Sequence, residues 1–188
     1  MYDDEPTAWG IVVDDDRGSL PYSLIHGEAL VAAAAWALGA AEVTLLDASV
    51  PWSAVREGEQ ALVLHDSLCP LTPPEFIASC VARSLAEDVV VVGVRPVTDT
   101  VKEISEDGFV GRTLDREALA AVCSPIVLPP RVVAELEALP SLDFPVLVHA
   151  LRARTDVLLV PAPPEAARVT SADDVRSLEA GTALPQQS

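Results

Sequence analysis

The sequence predicts an α/β fold, with a mostly parallel sheet and helices on both faces. Three observations carry this. Short apolar runs recur along the first half of the chain, and well-capped helical stretches alternate with them. Asp88 to Val94 holds four consecutive valines, the composition of a strand buried on both faces. The 188 residues are half hydrophobic and only 4% aromatic, so the core is built from Val, Leu, Ala and Ile.

The first eight residues are acidic and read as loose. Trp9–Val13 reads as the first strand and ends in Asp14, Asp15 and Asp16. The Ala-rich stretch Gly27–Leu38 follows as a helix, then strands over Glu42–Leu46 and Gln60–Leu64. Thr72-Pro73-Pro74-Glu75 has the form of a helix start, with Thr72 as cap and Glu75 at the capping-box position. That helix runs to about Glu87, and Asp88–Val94 is the next strand. Val101–Thr113 alternates polar and apolar residues around Asp107-Gly108, which predicts a projecting β-hairpin. Helices are expected over Pro129–Leu139 and Phe144–Arg154, the second capped by Asp143. Asp156–Val160 closes the set of strands. Ser171 caps a last helix whose first turn carries Asp173 and Asp174. Gly181–Ser188 reads as a flexible tail. With no repeat and no long linker, residues 1–188 are expected to form one domain.

Charge narrows the partners. Twenty-nine acidic residues face 12 basic ones, for a formal charge of −17. Such a field repels nucleic acid and anionic membrane surfaces, so neither is an expected partner. Lys102 is the only lysine. That bias, with so many Ala and Val, points to a GC-rich bacterial genome. Cys69, Cys80 and Cys123 form no C-x-x-C pair and are expected as reduced thiols. The longest apolar run, Ala29–Leu38, is too short to span a bilayer, and no signal-peptide start is present. A cytoplasmic location is expected.

Several segments carry a family resemblance. Leu64-His65-Asp66-Ser67-Leu68-Cys69-Pro70-Leu71 resembles the H-D-A-A-R-P motif of the 2-C-methyl-D-erythritol 4-phosphate cytidylyltransferases. Pro96-Val97-Thr98-Asp99-Thr100-Val101-Lys102 is similar to that family's P-V-x-D-T-x-K, agreeing at every fixed position. Asp115-Arg116 with Leu119, Val122, Ser124 and Pro125 resembles D-R-x-x-L-x-x-x-x-T-P. Ala167–Asp174 resembles I-K-[VI]-T-T-P-E-D. Pro21-Tyr22 with Gly27-Glu28-Ala29-Leu30 echoes P-K…G-x-P-L. The resemblance implies a Rossmann-like nucleotidyltransferase fold and transfer of CMP from CTP to a sugar-alcohol phosphate, assisted by Mg²⁺. It also implies a homodimer, in which an arm over residues 101–114 reaches the partner's site.

The same resemblance marks what is altered. The family's phosphate-cradling loop, P-A-A-G-x-G-x-R, corresponds to Val13-Asp14-Asp15-Asp16-Arg17-Gly18-Ser19-Leu20, with one glycine and three aspartates. Carboxylates there oppose a triphosphate. The catalytic lysine corresponds to Tyr22, and the arginine of H-D-A-A-R-P to Cys69. No cytosine-recognition D-S-V is present. One such electrostatic group is typically worth about 10²- to 10³-fold in rate. The expectation is therefore a catalytically degenerate, dimeric binding or regulatory protein. An active cytidylyltransferase of isoprenoid precursor biosynthesis is the alternative, and a purely structural dimer a third reading.

Asp66, Thr100, Arg116, Ser124 and Arg168 are the expected substrate-binding residues. Arg17 and Arg168 are the catalytic candidates if the chain is active; Asp66 is then the metal candidate and Mg²⁺ the cofactor, with no cofactor otherwise. A small phosphorylated ligand is the expected occupant, held by Arg116 of one subunit and Arg168 of the other. Each residue also has a plainer reading. Asp66 can cap a turn, Thr100 and Lys102 can sit at the hairpin base, Asp115 can cap a helix, and Arg168 can pair with an acid. His65, flanked by strand residues, reads as structural.

Overall fold

A computed structural model describes residues 8–47, 49–96 and 120–183, and the backbone alone at 102–104 and 110–113. The elements in chain order are β1 (Ala8–Val13), β2 (Leu24–Ile25), β3 (Glu28–Ala29), α1 (Leu30–Ala40), β4 (Thr44–Leu45), α2 (Trp52–Glu57), β5 (Ala61–Asp66), α3 (Pro74–Glu87) and β6 (Val90–Pro96). Then come β7 (Lys102–Ile104), β8 (Val110–Thr113), β9 (Ala120–Leu128), α4 (Pro130–Glu135), α5 (Phe144–Arg152), β10 (Val157–Pro161) and α6 (Ala172–Thr182).

Six strands form one sheet in the order β10-β6-β9-β5-β1-β4. Every neighbouring pair is parallel except those made by β9, which runs antiparallel to both β5 and β6. Side chains alternate across the sheet as the pleat demands. Leu62 and Leu64 of β5, Val90 and Val92 of β6, and Ile126 and Leu128 of β9 meet α2, α4 and α5 on one face. Ala61, Val63, Val91 and Val127 meet α1 and α3 on the other. Burial on both faces explains why β5 and β6 read as continuous apolar runs in the sequence.

The central antiparallel strand was not legible. Pro125 lies within β9, and proline argues against a central strand because it cannot donate to the ladder. The structure accommodates it at an irregularity. Register with β6 passes from Ile126 opposite Val92 to Val122 opposite Val94, so Gly93 alone faces Cys123–Pro125. A Cβ on Gly93 would lie 2.6 Å from the Ser124 carbonyl oxygen. Only glycine lets β9 approach so closely.

Other expectations shift. The helix expected from Gly27 starts at Leu30, because Leu24–Ile25 and Glu28–Ala29 pair as a hairpin around His26 and Gly27, both at positive φ. Thr72 does not cap α3: the helix begins at Pro74, and the Thr72 hydroxyl donates instead to the Cys69 carbonyl at 2.9 Å. The helix expected to reach Leu139 ends at Glu135, where Leu136 turns extended and is buried. Asp143 and Ser171 do cap their helices, accepting from Val146 N–H at 3.0 Å and Asp174 N–H at 3.2 Å. The tail expected from Gly181 starts later, since α6 includes Gly181 and Thr182; residues 184–188 lie outside the described residues. Strands β7 and β8 pair antiparallel, as the hairpin pattern predicts. Residues 101, 105–109 and 114 of the expected arm lie outside the described residues.

Candidate functional site

The candidate site sits where β1 and β5 end together, with Val13 in register with Asp66. Ligands bind beyond the carboxyl ends of strands in such sheets. Asp66 is the last residue of β5 and is 1% exposed. Its Oδ1 accepts from Arg17 Nε at 3.2 Å and from the Leu68 backbone N–H at 3.0 Å. Its Oδ2 accepts from Arg168 Nε at 2.9 Å. One carboxylate thus joins the loop after β1 to the segment leading into α6.

Below it, the bulge in β9 places the Ser124 hydroxyl inside the sheet. Ser124 Oγ accepts the Asp66 backbone N–H at 3.0 Å and is hydrogen-bonded to His65 Nδ1. His65 is fully buried, and burial pushes its pKa down to about 4 against the opposing charge of Asp66. It stays neutral at ordinary pH. Nε2 has no hydrogen-bond partner among the described residues. Cys69 is buried beside Asp66, and burial raises its thiol pKa well above the usual value; it is an inert thiol.

Above Asp66 opens a cavity of about 510 Å³. Arg17, Asp66, Arg168, Thr170 and Asp143 supply its polar wall, and Val122, Phe144 and Pro145 part of its apolar wall. The two arginines differ. Arg17 is almost enclosed, and every guanidinium nitrogen is engaged: Nε with Asp66, Nη1 with the Asp15 carbonyl at 3.0 Å, and Nη2 with the Leu142 carbonyl at 3.0 Å. It fastens the loop after β1 to the loop before α5. Arg168 is more exposed, and its Nη groups have no hydrogen-bond partner among the described residues. Its fork is the one suited to a ligand anion.

The structure therefore brings Arg17, Asp66, Ser124 and Arg168 together. Thr100 and Arg116 lie outside the described residues. The sequence reading missed Asp143, Phe144 and Thr170 as parts of the cavity wall; Asp143 was legible only as a helix cap. Both oxygens of Asp66 meet guanidinium nitrogens, so a divalent cation there would have to share the carboxylate with Arg17 and Arg168 or displace Arg168. Among the described residues no three His, Cys, Asp or Glu side chains cluster as a metal site.

The loop in the cradle position is acidic in space as in sequence. Asp15 and Asp16 are exposed, and Asp16 adopts φ +57°. The Tyr22 hydroxyl donates to Asp14 Oδ2 at 3.2 Å, and that bonded carboxylate raises the phenol pKa.

Comparison with known proteins places this geometry. A model of the IspD family, 2-C-methyl-D-erythritol 4-phosphate cytidylyltransferase, matches residues 48–180. The chain belongs to this family. The match covers the strand ending at Asp66, the centre of the sheet and Arg168, and starts after the Asp14–Arg17 loop. A cytidylyltransferase of that name from Frankia casuarinae is 36% identical over 130 residues, covering 68% of this chain and 48% of the relative. One from Corynebacterium glutamicum strain R is 34% identical over 112 residues, 59% of this chain and 40% of the relative. The chain thus spans about half or less of the length of these curated relatives. Among solved structures, the 4-diphosphocytidyl-2C-methyl-D-erythritol synthase of Anaerococcus prevotii superposes with a TM-score of 0.64 at 15% identity, covering 93% of each chain. The cytidylyltransferase of Thermus thermophilus gives a TM-score of 0.61 at 21% identity, covering 92% of this chain and 96% of that one. These two carry the fold.

Proposed function

We propose that this member of the IspD family binds a small anionic ligand in the cavity above Asp66 and does not carry out cytidylyl transfer. The observation that carries the reading is the Tyr22–Asp14 hydrogen bond at the end of β1. In the family resemblance, a glycine-rich loop and a lysine stand there. A triphosphate needs backbone N–H groups and cations aimed at its charge. Here that position offers a carboxylate and a phenol, and the nearby Arg17 is fully engaged within the protein.

The substrate side keeps more. Arg168 lines the cavity, and its guanidinium fork suits one phosphate or carboxylate group, while the neighbouring Thr170 hydroxyl donates to Asp174 Oδ2 at 2.6 Å. The reading includes a homodimer formed through the hairpin of β7 and β8, with Arg116 of one subunit and Arg168 of the other sharing the ligand. Magnesium has no part in it.

The test is thermal unfolding with inorganic phosphate from micromolar to tens of millimolar. A ligand bound only by the folded chain raises stability in a saturable way. The midpoint should rise and level off for the native chain and stay flat for Arg168→Ala. A flat response in the native chain contradicts the binding half of the proposal.

A further inference from the structure

Away from Asp66, the face carrying α1 and α3 has an uncharged, partly aromatic surface bordered by acid. Helix α1, LVAAAAWALGA, has no polar side chain, yet Ala32, Gly39 and Ala40 are exposed and Trp36 is 70% exposed. Trp36 edges a depression of about 270 Å³, shared with Ala33, Pro74, Glu165 and Thr182. A second, more open depression of about 660 Å³ adjoins it, lined by Phe76, Pro73, Pro161, Pro163, Glu75 and Glu165. Glu165 borders both. Among the described residues, neither is lined by Lys or Arg. His26 stands at the rim, with Nε2 hydrogen-bonded to Thr182 Oγ1 at 2.8 Å and its backbone N–H donating to the Glu179 carboxylate at 2.6 Å.

These features select a partner. A second copy of this chain seated here would set its own Glu75 and Glu165 against these carboxylates, so self-association through this surface is opposed. A strand added through its backbone finds prolines, which offer no N–H. Proline rings, an indole and a phenyl ring do accept aliphatic side chains. An exposed indole beside a carboxylate also accepts a guanidinium, which stacks on the ring face and pairs with the acid.

We infer that the two depressions form a docking surface for an arginine-containing, apolar segment of a partner protein. The arginine lies between Trp36 and Glu165, and an adjacent apolar side chain rests on Phe76 and the prolines. The surface is separate from the cavity above Asp66.

Fluorescence anisotropy with a labelled acetyl-Leu-Arg-Pro-Leu-Arg-Leu-amide peptide, and with the same peptide carrying Glu for Arg, tests this. The Arg peptide should bind and the Glu peptide should not. Trp36→Ala and Glu165→Gln should each weaken binding about two- to fivefold, as loss of an exposed cation–π contact or ion pair implies. Both side chains are exposed, and circular dichroism checks that the variants fold. Glu137→Gln, beyond α4 on the opposite face, removes the same charge and should leave the affinity unchanged. Equal binding of the two peptides, no binding of the Arg peptide at millimolar concentration, or equal losses in Glu137→Gln and Glu165→Gln would overturn the inference.

Discussion

Arg168 and Asp66 lie 102 positions apart in the chain, and Arg168 Nε meets Asp66 Oδ2 at 2.9 Å. Arg17 meets the other carboxylate oxygen, so one buried acid holds two cations. Removing the acid strands Arg17, whose side chain is 8% exposed. Breaking a buried pair from one side costs about 3–5 kcal/mol. Asp66→Ala should lose stability of that order in urea unfolding. Arg168→Ala removes a half-exposed partner and leaves Asp66 paired with Arg17, so it should lose only about 1 kcal/mol or less. Equal losses in the two variants would show that the pairing is not centred on Asp66.

His65 makes stability depend on pH. Its folded pKa is pushed down to about 4, whereas an unfolded histidine titrates near 6.5. Between these values the unfolded chain binds a proton that the folded chain does not, so stability falls as pH drops from about 6.5 towards 4. The difference corresponds to roughly 3 kcal/mol at one pKa unit per 1.36 kcal/mol. Above pH 6.5 this contribution is constant. His65→Asn keeps a polar group near Ser124 and should flatten that part of the profile, read as urea midpoints at pH 7 and pH 4.5. Parallel profiles for the two proteins would refute a buried neutral imidazole.

The close approach at Gly93 gives a packing test. A methyl group there meets the Ser124 carbonyl, and that backbone has no flexible end to swing aside. Gly93→Ala should lose about 1–3 kcal/mol or more by overpacking, measured by thermal or denaturant unfolding. A neutral result would mean that β9 does not lie against β6 as described.

Much of the fold was legible because burial wrote it into composition. The valines of β6 and the apolar run of β5 are strands buried on both faces, and Asp143 and Ser171 announced their helices. Strand β9 was hidden because Pro125 breaks the strand pattern, while what tolerates it, Gly93, lies about 30 residues earlier in the sequence. Asp66, Ser124 and Arg168 could be found through motifs. The engagement of Arg17 could not, since its partners at Asp66 and Leu142 are 49 and 125 positions away. Long-range pairing of this kind leaves no local spacing to read.

The proposed dimer has a simple readout. Light scattering at micromolar concentration should give twice the 19.8 kDa chain mass. Replacing residues 103–112 by a Gly-Ser linker should give the single-chain mass. A native chain that scatters as a monomer would remove the shared Arg116–Arg168 ligand site from the account.

In the proposed function, a carboxylate and a phenol at the end of β1 replace what a nucleoside triphosphate needs. Pyrophosphate release from CTP, with 2-C-methyl-D-erythritol 4-phosphate and Mg²⁺ present, measures it most directly. The account predicts no release above the rate without protein. Turnover on the order of 1 per second or more, the ordinary range for enzymes, would contradict it.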